Sequence, residues 1–135
     1  MTMSLEQLGP LIGLPHCDRT HDCADLVMQA AVHLSGREIL LPQARPRPRG
    51  TAGRAAALGR ALTDLAQRVD APADGDLVLM TDLGFSRPSH IGMYFFLGYE
   101  HRVLHSSQGV GSSRLHRLSD LPRFGLTVEG YYRWK

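Results

Sequence analysis

Lysine is almost absent from this 135-residue chain: of fifteen basic residues only Lys135 is a lysine, and the others are arginines. Thirteen Asp and Glu offset them to a formal net charge of +2, so neither sign is in excess. That near-balance argues against a nucleic-acid partner, which needs positive charge gathered on one face. The nearest approach to a cluster, Arg45, Arg47, Arg49, Arg54 and Arg60, runs from a proline-rich stretch into a helical pattern. Cysteine is scarce too. Cys17 and Cys23 do not make a disulfide framework, although they could bridge across a short loop. No apolar run approaches the length that spans a bilayer, which excludes a membrane-spanning helix. The opening residues, Met1 to Glu6, lack the basic and apolar stretches of a secretory signal. The chain is therefore expected to be cytoplasmic on synthesis, and to leave only if a larger assembly carries it.

What is present suffices for one domain over residues 1–135, with an apolar content of 43% to fill a core. Leu5 to Ile12 is weakly helical and interrupted at Gly9-Pro10, where a kink or a fresh helix start is expected. Gly13-Leu14-Pro15-His16 reads as a turn. Asp22 is placed as an N-cap, and Leu26, Val27, Ala30, Ala31 and Leu34 recur at helical spacing from Cys23 to about Leu34. Ser35-Gly36 stops that helix. Leu40 to Gly50 alternates proline with arginine and reads as an extended loop; its charges face either an anionic surface or a partner, or are simply solvated. The alanine and leucine content of Arg54 to about Val69 predicts a second helix. The period then changes to two, predicting strands over Asp76–Met80, Ile91–Leu97, Glu100–His105 and Leu126–Trp134. Gly98-Tyr99 is placed as a tight hairpin turn. Helices first and a small antiparallel sheet second make an α+β fold, with the helices packed on the sheet.

Three residues in this layout carry chemistry. A thiol is a nucleophile as thiolate, and a helix start favours the anion through its unpaired N–H groups and dipole. Cys23, directly after a capping Asp22, is so placed. His90 precedes an apolar strand, a rigid position for a general base. His105 ends the partner strand and is able to hold the His90 ring in its productive tautomer. Plainer readings stand beside these. A cysteine before an amphipathic helix often serves as a small buried hydrophobe, and histidines at strand edges are often solvated. His16, Cys17, His21 and Cys23 also suggest zinc, but the spacing matches no standard structural site and all four would come from one short loop. No metal or cofactor is expected.

Several of these segments share a pattern. Asp22-Cys23-Ala24-Asp25-Leu26-Val27 resembles the "D-C-x-G-L-V" nucleophile motif of the NlpC/P60 family of papain-like cysteine peptidases. Gly13-Leu14-Pro15-His16 falls where that family has "G-x-P-Y". Pro72 with Gly75-Asp76-Leu77-Val78-Leu79 is similar to "P-x-x-G-D-L-V-x-F", His90-Ile91-Gly92-Met93-Tyr94 to "H-V-G-I-Y", and Val103-Leu104-His105-Ser106 to "v-i/l-H-a/s". These motifs, in the right order, cover most of the chain. The resemblance implies a papain-like fold in which Cys23 is the nucleophile, His90 the base and His105 the polar residue that orients it.

Leu40-Leu41-Pro42 after the helix, and the segment Val128 to Arg133 near the end, are most similar to the phage tail assembly or tail-tip members of the family. That resemblance implies a peptidoglycan hydrolase cutting peptide stems, with other tail or particle proteins as partners, delivered to the cell wall by a phage-like particle. The sequence departs from the family at two places near the site. Asp25 stands where glycine is usual, and its charge opposes the thiolate of Cys23. His16 replaces a tyrosine. Two other readings follow from the same scaffold: a tail assembly component with little or no peptidase activity, and a thiol amidase or acyltransferase.

Overall fold

The computed structural model describes residues 3–17, 21–38, 62–84, 86 and 88–135, and within them the chain is α+β with a six-stranded antiparallel sheet and a few helices. Helix α1 (Leu5–Leu8) is closed by a reciprocal cap between Ser4 and Gln7 and passes at once into a 3-10 turn over Gly9–Leu11. Pro10 lies in the first positions of that turn, where its missing N–H costs nothing. The interruption predicted at Gly9-Pro10 is thus a change of helix type. Helix α2 (Cys23–Ser35) ends at Gly36, whose φ of 68° places it in the left-handed region that glycine adopts without penalty.

The strands are β1 (Ala66–Val69), β2 (Leu77–Asp82), β3 (His90–Leu97), β4 (Glu100–Ser106), β5 (Ser113–Arg117) and β6 (Leu126–Trp134), in the spatial order β1-β6-β2-β3-β4-β5. The Gly98-Tyr99 turn is where the sequence places it: Leu97 pairs with Glu100, and both turn residues have positive φ, the geometry of a two-residue hairpin. Strand alternation sorts the side chains into two layers. Leu77, Leu79, Ile91, Met93, Phe95 and Leu104 face a core shared with Leu26, Val27 and Ala30 of α2. Val78, Met80, Tyr94 and Val103 face the other way, onto Leu121 and Leu126. The sheet is therefore covered on the second face too, by a 3-10 segment (Leu118–Phe124) that the period-two reading of this region passes over.

The helix predicted from Arg54 to Val69 is corrected at its end. Residues 62–65 are helical, but Ala66–Val69 is strand β1, paired with Tyr131–Trp134 of β6. The Arg68 guanidinium donates to the Glu129 carboxylate at 2.7 Å and to the Glu129 carbonyl at 2.9 Å, fixing the register. A partner strand 60 or more residues away is invisible to local propensity, which favours helix here. The start of that predicted helix, and the Leu40–Gly50 loop with its arginines, lie outside the described residues.

One motif residue is accounted for by folding. Asp76 is 5% exposed and accepts from Arg133 in a two-pronged contact at 2.9 and 2.8 Å, and from the Ala73 N–H at 2.7 Å. Buried carboxylates persist when paired in this way. The pair ties the start of β2 to β6.

Candidate active site: a chain of three histidines beside a capped cysteine helix

The sequence builds the start of α2 as a strong cap. The Asp22 side chain accepts from the N–H groups of Ala24 and Asp25, both at 3.1 Å, and the Asp25 carboxylate accepts from the Asp22 N–H at 2.8 Å. This reciprocal arrangement satisfies several of the orphan donors of a helix start. It also gives Asp25 a structural duty, since its carboxylate is turned back onto the cap. The cap draws on the N–H groups of Ala24 and Asp25, directly after Cys23, the first residue of the helix. Cys17 and Cys23 are both thiols, not a disulfide. Cys17 closes the preceding loop through paired backbone bonds with His21, each 2.8 Å. Half-buried Cys23 packs against the core layer beneath α2.

His90 and His105 meet. His90 Nε2 and His105 Nδ1 are 2.9 Å apart with the rings edge to face. Both are buried, His105 to 1% exposure. By alternation both rings stand on the sheet face of Tyr94 and Val103, whereas α2 lies on the opposite face of β3 and β4. Cysteine helix and histidine pair thus share two strands as support. Gly92 makes the close approach possible. A Cβ there would fall 3.1 Å from His105 Cβ and 2.6 Å from Val103 Cγ1.

His16 is bonded at the end of β4. Its Nδ1 lies 2.8 Å from the hydroxyl of Ser106, a fully buried residue at the end of β4. Nearby, the buried Ser113 hydroxyl donates to Leu11 carbonyl at 2.7 Å and accepts from the Leu14 N–H at 2.8 Å. The N-terminal segment is thereby fastened beside the ends of β4 and β5.

A residue that the sequence reading missed completes the cluster. His105 Nε2 is 2.8 Å from His116 Nδ1 of β5, so His105 uses both ring nitrogens on other histidines. His116 pairs with Val103 and His105 with Arg114, which makes the two histidines diagonal neighbours on one sheet face. Phe124 of the 3-10 segment stacks on the His116 ring at 4.1 Å. The period-two alternation of Ser113 to Arg117 was the available signal, but its short length and exposed arginines hid it. Among the described residues no group of three or more His, Cys, Asp or Glu converges as a metal site. The three rings are joined in series, not pointed at a common centre.

Burial first, and then the neighbouring charges of His90 and His116, push the basicity of His105 down to about 2 from an ordinary 6.5. His105 is therefore neutral in the folded chain at ordinary pH. In the unfolded chain it takes up a proton below pH 6.5, and in the folded chain it does not. The stability linked to this ring is full above pH 6.5 and is lost progressively as pH falls toward 2. At pH 4.5 the loss is on the order of 3 kcal/mol, one proton over two pH units. His116, lowered chiefly by burial, adds in the same direction. Urea unfolding at pH 7 and pH 4.5 tests this: the drop in stability should be clearly smaller for a His105→Asn variant than for the native chain.

No protein-family model matches the chain, and no curated protein and no solved structure is significantly similar to it. No helix among the described residues is long and apolar enough to cross a membrane.

Proposed function

We propose that this chain is a cysteine peptidase of the papain-like NlpC/P60 type that hydrolyses peptide stems of peptidoglycan. The observation that carries the reading is the buried His90–His105 contact of 2.9 Å, on the two strands whose other face carries the helix that Cys23 begins. Buried imidazoles persist when they are hydrogen-bonded, and buried titratable pairs of this kind cluster at functional sites. The ordered motifs of the sequence support the same assignment.

In this reading the Cys23 thiol, brought to His90 when a stem binds, gives its proton to that imidazole, and the thiolate attacks the stem carbonyl. The Cys23 N–H, at the positive end of α2, holds the developing oxyanion together with a neighbouring donor. His90 returns the proton to the departing amine, and water then releases the acyl group from sulfur. His105 stays neutral and holds His90 in place. The resemblance to tail assembly and tail-tip proteins further supports a place in a phage or phage-like particle, which would carry the domain to the wall and supply its protein partners.

Digestion of purified peptidoglycan by native and Cys23→Ala protein, with released fragments weighed by mass spectrometry, tests this. Fragments that depend on Cys23 and map to stem peptides are expected, with the Cys23→Ala fold unchanged. If a control hydrolase digests the same wall and this protein does not, the peptidase reading is overturned in favour of an assembly role. Fragments formed equally by Cys23→Ala would remove Cys23 from the mechanism.

A further inference from the structure

We propose that Arg114 reads a carboxylate of the bound stem, on a surface where Leu83 and Phe124 supply an apolar lip. This rests on the reading of the histidine face as the site of a stem peptidase, and it names the part of the stem that this face recognises. Arg114 is placed by register. It pairs directly with His105 across β4 and β5, so the two side chains leave the same face of the sheet, with Cβ atoms roughly 5 Å apart. His116, two residues further along β5, stands on that face too and bonds His105 at 2.8 Å. Arg114 thus borders two of the three rings, and unlike His105 it is exposed.

The carboxylates on this part of the sheet are committed elsewhere. Asp120 is held by Arg117 at 2.8 Å, and Glu100 by Arg102 at 2.9 Å and by Arg117 at 3.5 Å. Among the described residues no carboxylate pairs with Arg114. Its charge reaches the neighbouring ring, where it is one of the causes that lower the basicity of His116. A guanidinium is a planar fork that matches a carboxylate in two parallel hydrogen bonds. Here that fork stands at the rim of the buried histidines with no anion of the fold to engage it, and a ligand carboxylate would supply the missing charge.

Beyond His116 the surface turns apolar. Phe124 stacks on that ring at 4.1 Å and is still 45% exposed. Leu83, 85% exposed, lies against the residue after it: the Leu83 N–H donates to the Gly125 carbonyl at 2.6 Å, and a Cβ on Gly125 would stand 3.4 Å from Leu83 Cβ. Exposed large apolar side chains gathered beside a buried polar cluster mark a surface that binds. A cation on one side of the rings and an apolar lip on the other fit a ligand that carries a carboxylate close to small apolar groups. A peptide stem, with alanyl methyl groups beside carboxylates, has that chemistry. A neutral sugar has no charge to offer Arg114.

Calorimetric titration of soluble stem peptides into Cys23→Ala protein reads binding without turnover. One peptide keeps all its carboxylates, and in the others each carboxylate is amidated in turn. One of these amidations is expected to weaken binding about tenfold or more, the worth of a charge-assisted contact. Adding Arg114→Gln should erase that preference, and Arg114→Lys, which keeps the charge and loses the fork, should retain part of it. Leu83→Ser should weaken intact and amidated peptides by the same factor. The proposal is overturned if no single amidation weakens binding, if folded Arg114→Gln keeps the preference, or if no stem peptide binds. Binding that depends on Arg114, without cleavage by the native chain, would count against the peptidase reading alone. Cleavage of intact and amidated stems at equal rates would overturn the role of Arg114 and leave the peptidase reading standing.

Discussion

A His90→Ala variant is expected to lose stem hydrolysis by roughly a thousandfold or more while remaining folded, the effect of removing a general base that also serves as the acid. The alkylation of Cys23 near pH 7 should slow in parallel, because the thiol would lose the group that takes its proton. His105→Ala should cost less in turnover, since it removes orientation and not the proton acceptor. That ordering separates a base from its support. The measurement is a paired assay of fragment release and Cys23 labelling on both variants, with circular dichroism to verify folding. A His90→Ala protein that keeps native activity would place the base elsewhere, and a His105→Ala protein that does so would remove His105 from the site.

Gly92→Ala should have the largest effect on stability of any single methyl group added to the sheet. The new Cβ would stand 2.6 Å from Val103 Cγ1 and 2.8 Å from the Leu104 carbonyl oxygen. In a looser place a rotamer change would relieve the first contact, but Val103 is fully buried and the second contact is backbone. β4 must therefore move away from β3. Overpacking of this kind costs about 2–3 kcal/mol, a fall of roughly 10 °C in Tm for a domain of this size. The displacement carries His105 with it, because the same Cβ lies 3.1 Å from His105 Cβ. Activity at a temperature where the variant is still folded should drop as well. Thermal unfolding followed by circular dichroism checks the first effect, and fragment release at 15 °C the second. An alanine variant with native Tm would show that this close approach does not constrain the sheet.

Much of this arrangement is written locally. Asp22 and Asp25 fix the start of α2 because a short carboxylate one residue before a helix has one good use, and Gly36 ends it for an equally local reason. Gly98-Tyr99 specifies its hairpin in the same way, and the alternation of Ile91 to Leu97 marks a strand buried on both faces. From these elements the sequence by itself determined that a capped cysteine begins a helix and that His90 and His105 lie on strands joined by one tight turn. Local chemistry could not determine the fate of Ala66–Val69, whose composition favours helix and whose partner is the last strand of the chain. Nor could it reveal His116. A histidine on a short strand with exposed arginines has no local signature, and its meaning comes from the β4–β5 register that sets it diagonal to His105. The tertiary structure alone decided that the histidines form a series of three, because hydrogen bonds between side chains on different strands depend on pairing, and pairing is a property of the whole sheet.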